Sequence, residues 1–203
     1  LVGRDVDEDL AALTSRGFLL ETKAQGEDCA EYRFRKPMVR EAAYGGLSVS
    51  DRHRLHRAIA GDLIARAEMD AGAVSAAHIA WHLENGGDPE RAGAYYLEGG
   101  NAALRIYSNR QALRLYDRAL AVLPQGSVTR FEVLERRQKV LRDLGDHATR
   151  HAVVAEMERI AASLGDPSKE ALAVNARVQL LFDEGEFGAA ARDVKHALET
   201  GSR

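Results

Sequence analysis

Proline is rare in this chain, and its few positions leave long uninterrupted stretches between them. The four prolines are Pro37, Pro89, Pro124 and Pro167. Because proline fixes φ and lacks a backbone N–H, it suits the first turn of a helix or a linker and disrupts a helix interior. The intervening stretches are rich in Ala, Leu, Arg and Glu, with apolar residues at helical spacing. The sequence therefore predicts a mainly α fold.

The composition limits the classes of protein that need to be considered. Hydrophobic residues make up 45% of the 203 residues and charged residues 29%, which is ordinary for a soluble globular chain. A formal net charge of -3 argues against a general polyanion binder. The single cysteine, Cys29, excludes an internal disulfide framework and predicts a reducing, cytoplasmic location. No apolar stretch approaches the roughly 20 residues of a membrane-spanning helix, so no membrane partner is expected.

The chain opens with Leu1-Val2-Gly3-Arg4, without an initiator Met or a signal-peptide core. We therefore expect it to be a piece of a longer protein.

The first part of the chain is predicted to combine helices with one β-hairpin. The segment from Asp5 to Arg16 has helical apolar spacing, and Gly17 is placed to end that helix. An apolar run at residues 18–20 and a segment at 29–34, where Ala30, Tyr32 and Phe34 alternate with polar residues, flank a polar turn and indicate antiparallel strands. A further helix is predicted from Pro37 to about Tyr44. This layout is typical of a truncated winged helix with a short β-hairpin.

A long helix is predicted to follow, from Asp51 to about Met69, with Ser50 as its N-cap. Its buried stripe is predicted to consist of Leu55, Ile59, Leu63 and the alanines between them. We assign residues 1–70 to the winged-helix-like segment with its connecting helix, and residues 71–203 to helical repeats.

Two segments of the second part, one within residues 110–120 and one within residues 187–198, are similar to each other without gaps. Each places a small residue, a bulky residue four positions later and a second small residue three positions after that. Residues at this spacing share one helix face, and the small ones let two helices approach closely. The matching residues are Ala112, Tyr116 and Ala119 in the first segment and Ala190, Val194 and Ala197 in the second. A weaker third copy contains Ala92, Tyr96 and Gly99.

Glycine followed by an acidic residue marks three turns between the predicted helices, at Gly87-Asp88, Gly145-Asp146 and Gly185-Glu186. The glycine can adopt the left-handed conformation that ends one helix, and the acid can start the next. With the small and bulky residues above, the pattern resembles the tetratricopeptide repeat, with repeats of irregular length. The resemblance implies an α-solenoid of three to four degenerate hairpins that serves protein interaction.

A second resemblance lies upstream. Residues 32–44 read Tyr-Arg-Phe-Arg-Lys-Pro-Met-Val-Arg-Glu-Ala-Ala-Tyr, and residues 52–60 read Arg-His-Arg-Leu-His-Arg-Ala-Ile-Ala. With Leu47 between them and the helix before Gly17, they resemble a stretch of STAND-class signalling ATPases. This class includes large LuxR-type regulators and ATPase modules attached to nucleotide cyclases or Ser/Thr kinases. Lys36-Pro37 stands where that family usually carries His-Ala or a similar pair.

In that family, the stretch joins a winged helix, downstream of a P-loop ATPase, to a tetratricopeptide sensor region. The resemblance therefore implies a non-catalytic sensor or docking scaffold of a larger regulator. Its implied partners are the upstream ATPase domain of the parent chain and a protein, a peptide or a small-molecule inducer.

No catalytic residue, cofactor or metal ion is predicted. A Gly-x-x-x-x-Gly-Lys-Ser/Thr loop is absent from the sequence, so this chain is not expected to be an enzyme. His78 and His82 have the spacing of two zinc ligands, but no Glu follows His78 and no third ligand is evident. We expect them to be partly exposed near a helix interface; a metal-dependent enzyme using both is one rival. His53 and His56, among arginines, are expected on a solvated basic face.

A basic run raises an alternative function, a DNA-binding winged-helix fragment of a transcriptional regulator. Arg33, Arg35, Lys36 and Arg40 could share a surface with the arginines near residue 54. The many acids of residues 1–70 argue against nucleic acid as a partner.

Aromatic residues give the candidate binding site. Tyr96 and Tyr116 are expected to fill the space between helices, whereas Trp81, Tyr95 and Tyr107 are expected to line a groove for a ligand or partner.

Overall fold

The computed structural model describes residues 6–23, 30–70, 72 and 74–201. These residues form ten helices and one two-stranded antiparallel sheet, which confirms the mainly α prediction with its short hairpin. The chain divides into two compact units, Leu1–Arg52 and His53–Arg203. None of the helices in the described part combines the length and the hydropathy that crossing a membrane requires.

The elements in chain order are α1 (Val6–Ser15), β1 (Leu19–Lys23), β2 (Ala30–Phe34), α2 (Pro37–Gly45), α3 (Val49–Met69), α4 (Ala76–Asn85), α5 (Pro89–Arg105), α6 (Asn109–Val122), α7 (Val128–Asp143), α8 (His147–Leu164), α9 (Pro167–Asp183) and α10 (Phe187–Gly201).

The first unit contains the predicted helix, hairpin and helix. Gly17 follows α1 with a φ of 75°, a left-handed conformation that favours glycine. β1 pairs antiparallel with β2, and Leu19 lies opposite Phe34. Cys29, predicted to lie in the second strand, is outside the described residues.

The start of α3 differs from the prediction. The helix begins at Val49, and the Ser48 hydroxyl accepts the backbone N–H of Asp51 at 3.1 Å. Ser48 therefore does the capping that was expected of Ser50, because a serine hydroxyl bonds the N–H three residues ahead.

The buried face of α3 is also rotated relative to the predicted stripe. His56 and Ala60 are buried, and Leu63 packs against the core, whereas Leu55 and Ile59 are exposed. The prediction was correct for Leu63 and Ala60 and wrong for Leu55, Ala58 and Ile59, which are exposed. The rotation of the buried face results from a polar contact, because His56 forms a hydrogen bond with a histidine of α4. This contact and the small Ala60 set the side of α3 that faces α4. α3 from His53 onward belongs to the second compact unit, whereas the sequence assignment grouped it with the first segment.

The second unit is built mainly from contacts between helices that are neighbours in sequence. α4 packs on α5, α5 on α6, and so on through α9 on α10. In addition, α7 contacts α5, and α9 contacts α7. α7 therefore touches both helices of the preceding pair, α5 and α6, and α9 likewise touches α7 and α8.

Two hydrophobic clusters lie inside this unit. One spans α3 to α7 and includes Tyr96 and Tyr116; the other spans α7 to α9 and includes Phe131 and Met157. Leu113 packs against both clusters. Ala112, Tyr116 and Ala119 are fully buried, as the repeat pattern predicts. The core is thus divided along the chain.

Glycine lets α5 and α6 approach closely. Gly93 and Gly100 are buried within α5, and a Cβ atom at either position would overlap a side chain. The overlap would be with Leu123 at Gly93 and with the ring of Tyr116 at Gly100. A larger residue would therefore push the two helices apart.

The three predicted glycine turns are confirmed. Gly87, Gly145 and Gly185 have φ values of 77°, 71° and 81°. Asp88 accepts the N–H of Arg91 and Asp146 that of Thr149, so both acids cap the following helices.

Three arginines each join their own helix to the helices before and after it. Arg130 of α7, Arg150 of α8 and Arg177 of α9 make these bonds at donor–acceptor distances of 2.5 to 3.2 Å. Their partners are Leu120 and Glu156 for Arg130, Gln138 and Asp183 for Arg150, and Glu158 and Asp193 for Arg177. Consecutive helices are therefore tied by charge as well as by apolar packing.

Candidate functional site

The three residues predicted to line a groove lie in different surroundings. Trp81 of α4 is 44% exposed and stacks edge-on against His56 and His82. Tyr95 of α5 is half-buried and packs against the first cluster. Tyr107, after α5, is 93% exposed and has a φ of 58°. Within the described residues, no ring contact joins any two of these three, and their common groove stays a prediction.

Tyr96 and Tyr116 act between helices, as predicted. Burial first, and then the hydrogen bond to Glu84, raises the pKa of Tyr96 to about 12, so its phenol is protonated at neutral pH. The phenol donates to Glu84 at 2.6 Å, and Arg118 donates to the same carboxylate at 2.6 Å. Tyr116 donates to Asn101 at 2.9 Å. These polar groups are paired within the fold and join α4, α5 and α6.

A buried histidine pair joins α3 to α4. The Nδ1 atoms of His56 and His82 lie 3.1 Å apart, and the two residues are only 5% and 7% exposed. The solvated basic face predicted for His56 is therefore wrong, and His82 is more buried than predicted. The missed signal is the helical spacing of His56, Ala60 and Leu63, which puts His56 on the packed face.

The surroundings keep both rings neutral. Burial, and next the neighbouring His56 and His78, lowers the pKa of His82 to about 4. Burial, and next His53, lowers the pKa of His56. Both rings are neutral at pH 7. One Nδ1 therefore carries a hydrogen and donates it in the hydrogen bond, and the other Nδ1 is the acceptor.

Metal binding finds no support in the geometry. Across the described ranges, no group of three or more His, Cys, Asp or Glu side chains is arranged to hold a metal ion.

The basic residues considered as a DNA-binding surface share their unit with exposed acidic residues. Arg33, Arg35 and Arg40 are exposed, and so are the acids Glu31 and Glu41 of the same unit. In the second unit, Arg57 donates to the backbone carbonyl of Gly86 at 2.6 Å.

A groove lies between α9 and α10, with a volume of about 760 Å³. Its apolar lining consists of Pro167, Ala171, Val174, Val178, Val194 and Ala197. Its polar lining consists of Glu170, Asn175, Arg177, Asp193 and His196. We call this surface the α9–α10 groove.

The groove arises because α9 has apolar residues on two faces. Ala173, Ala176 and Leu180 face the second cluster and are buried. Val174 and Val178, one helical turn apart, lie on the other face and line the groove. A helix that is apolar on two faces is typical of an element packed between two neighbours.

α10 supplies the opposite wall, and it shows what the repeat pattern missed. Val194 occupies the position that Tyr116 holds in the earlier segment, yet Val194 is 43% exposed and Tyr116 is fully buried. The repeat pattern predicted that Val194, like Tyr116, fills the space beside a neighbouring helix, and this prediction is wrong for Val194. The pattern could not reveal that this face of α10 borders an open groove.

Fixed charges hold the groove walls together. Arg177 of α9 donates to Asp193 of α10 at 2.7 Å and to Glu158 of α8 at 2.6 Å. The guanidinium offsets one of the two carboxylate charges, and one net negative charge remains in this cluster. The remaining lining is mostly aliphatic, which suits an apolar ligand surface and offers no nucleophile activated by a base.

A scan of the sequence against models of known protein families found no match, and a search of curated proteins found none either.

Proposed function

We propose that this chain is a non-catalytic docking scaffold that binds an amphipathic α-helix of a partner protein in the α9–α10 groove. The observation that carries the proposal is the way earlier helices are seated. α7 contacts both α5 and α6, and α9 contacts both α7 and α8. The α9–α10 groove is the next position in this series, so the surface that would receive a helix continues an existing helix-packing interface.

The chemistry of the groove favours such a helix as its occupant. Val174, Val178 and Val194 present a narrow aliphatic surface, and small side chains allow a helix to approach at close range. A helix in a groove buries its apolar stripe and satisfies its own backbone hydrogen bonds. An extended peptide would need backbone partners, and the aliphatic lining of the groove offers few.

The wider proposal follows the two sequence resemblances. His53–Arg203 would be a tetratricopeptide-like α-solenoid, and the helix–hairpin–helix of the first unit a winged-helix-like segment. The parent would be a cytoplasmic STAND-class regulator, in which a bound partner favours one arrangement of the repeats and shifts an existing equilibrium. A Gly-x-x-x-x-Gly-Lys-Ser/Thr motif encoded upstream of Leu1 would agree with such a parent.

The test uses a displayed library of 17-residue peptides with small apolar residues at positions i, i+4, i+7 and i+11 and all other positions randomised. We expect selection on the full chain to enrich peptides that bind at micromolar or better affinity. Val178→Asp should weaken their binding at least about tenfold, since it puts a charge on the apolar wall.

Two further variants make the result specific. Leu172→Asp changes an exposed residue of the same helix that does not line the groove, and binding should be retained. Val194→Asp changes the opposite wall at an exposed position, so the fold should tolerate it while binding falls. Circular dichroism checks that each variant is folded. Failure to enrich any binder, or equal binding to the groove variants and to Leu172→Asp, would contradict the proposal.

A further inference from the structure

The histidine pair between α3 and α4 plays no part in the proposed docking, and its position gives it a separate role. α3 and α4 meet at His56 and His82, whose Nδ1 atoms share one hydrogen bond at 3.1 Å. Trp81 stacks edge-on against both rings, with centroids 5.0 and 4.9 Å away. A titratable pair is therefore part of the contact between two helices.

We propose that this pair is an acid-sensitive latch, which holds α3 on α4 while both imidazoles are neutral and releases it when they are protonated. The hydrogen bond needs one Nδ1–H donor and one bare Nδ1 acceptor. A first added proton puts a charge into a buried pair. A second removes the acceptor and leaves two N–H groups facing each other.

The surrounding groups oppose added positive charge. α3 contributes His53 and Arg57, which both lie beside Gly87, and α4 contributes His78, whose ring centroid is 5.0 Å from that of His82. The turn after α4 contributes a backbone acceptor, the Gly86 carbonyl, which Arg57 already uses. The carboxylate of Glu84, two residues from His82, is bonded to Tyr96 and Arg118 instead.

The direction of the pH effect follows from the proton balance. The pKa of His82 is about 4 in the folded chain and 6.5 in its ordinary state. Between these values the unfolded or released state binds more protons than the latched state, so stability falls as the pH falls from about 6.5 to about 4. Well above pH 6.5 both rings are neutral in either state, and the pair contributes no pH dependence.

Trp81 is the single tryptophan of the chain and reports directly on the latch. We expect its fluorescence in the full chain to change reversibly on acidification, with a midpoint well below pH 6.5, because protonated imidazoles quench an adjacent indole and release exposes it. Hydrogen-exchange protection in α3 and α4, corrected for the intrinsic pH dependence of amide exchange, should fall over the same pH range. The double variant His56→Asn with His82→Asn should abolish both changes, since an asparagine amide can replace the bonding at Nδ1 without titrating.

His151→Asn, at an exposed histidine of α8, is the matched control and should titrate like the parent protein. If the double variant does not fold, His82→Asn alone should reduce the proton uptake of the transition from two to one. A midpoint at pH 6.5, an unchanged titration in the asparagine variants, or a fluorescence change without loss of exchange protection in α3 and α4 would overturn the latch.

Discussion

Arg150 shows how much a single side chain can hold in this fold. It is completely buried on α8, donates to Gln138 of α7, and forms an ion pair with Asp183 of α9 at 2.5 Å. A buried guanidinium is stable only while its partners are present, because the cost of removing the charge from water must be offset locally. Arg150 therefore fixes the spacing of three successive helices.

We predict that Arg150→Met lowers the free energy of unfolding by about 2–3 kcal/mol. This is less than the full cost of breaking a buried ion pair, because Asp183 keeps some contact with water and the methionine still fills apolar space. Urea denaturation followed by circular dichroism measures the change.

Arg66→Met is the control for this substitution. Arg66 pairs with Asp62 on the exposed surface of α3 at 3.0 Å, and such pairs contribute less than about 1 kcal/mol. Equal losses of stability in the two variants would show that Arg150 has no special structural role.

Sequence reasoning about single residues succeeded where the signal was local. The small and bulky positions Ala112, Tyr116 and Ala119 could be assigned to the core from their spacing alone. His56 and His82 could not be paired in advance, because they are far apart in sequence and His56 stands among arginines. Histidine among arginines is typical of a solvated surface, and only tertiary packing overrides that expectation.

The glycines of α5 show how one helix is fitted to the next. Gly100 is buried against the ring of Tyr116, and Gly61 of α3 has no atom near the place of its missing Cβ. Both lie inside helices without a positive φ, so alanine gains helix propensity equally at the two sites. Any difference between the effects of the two alanine substitutions on the free energy of unfolding therefore measures the close approach of α5 and α6.

We predict that Gly100→Ala lowers the free energy of unfolding by about 1–3 kcal/mol, through overlap with Tyr116. Gly61→Ala should raise it by about 0.5–1 kcal/mol. Thermal and urea unfolding of both variants measure this pair of opposite shifts. Stabilisation by Gly100→Ala would mean that α5 and α6 are not packed as closely as described.

Helix boundaries were more predictable than helix faces. Prolines and glycine–acid turns mark ends through backbone chemistry, and Pro89, Pro167 and Gly145 lie where the sequence predicted a start or a stop. The buried face of α3 was misjudged, because an aliphatic stripe through Leu55 and Ile59 competes with one through His56 and Ala60. Choosing between them requires knowing which neighbour the helix packs against.

The second unit as a whole has a core divided along the chain rather than concentrated in one place. This division could be anticipated from the repeated pattern, since each pair of helices carries its own apolar residues. The α9–α10 groove could not be anticipated from the sequence, because its walls are formed by two helices whose open faces become adjacent only after folding. The proposed docking depends on this serial organisation, in which each helix is held mainly by its sequence neighbours.

Hydrogen exchange of the full chain carrying Met157→Ala tests the serial organisation most directly. Met157 is fully buried in the second cluster, and its truncation should cost about 2–5 kcal/mol there. If the helices are held by their neighbours, protection should fall in α7, α8 and α9 and remain at the parent level in α4 and α5. A uniform loss of protection from α4 to α10 would indicate a single cooperative core and contradict the scaffold described above.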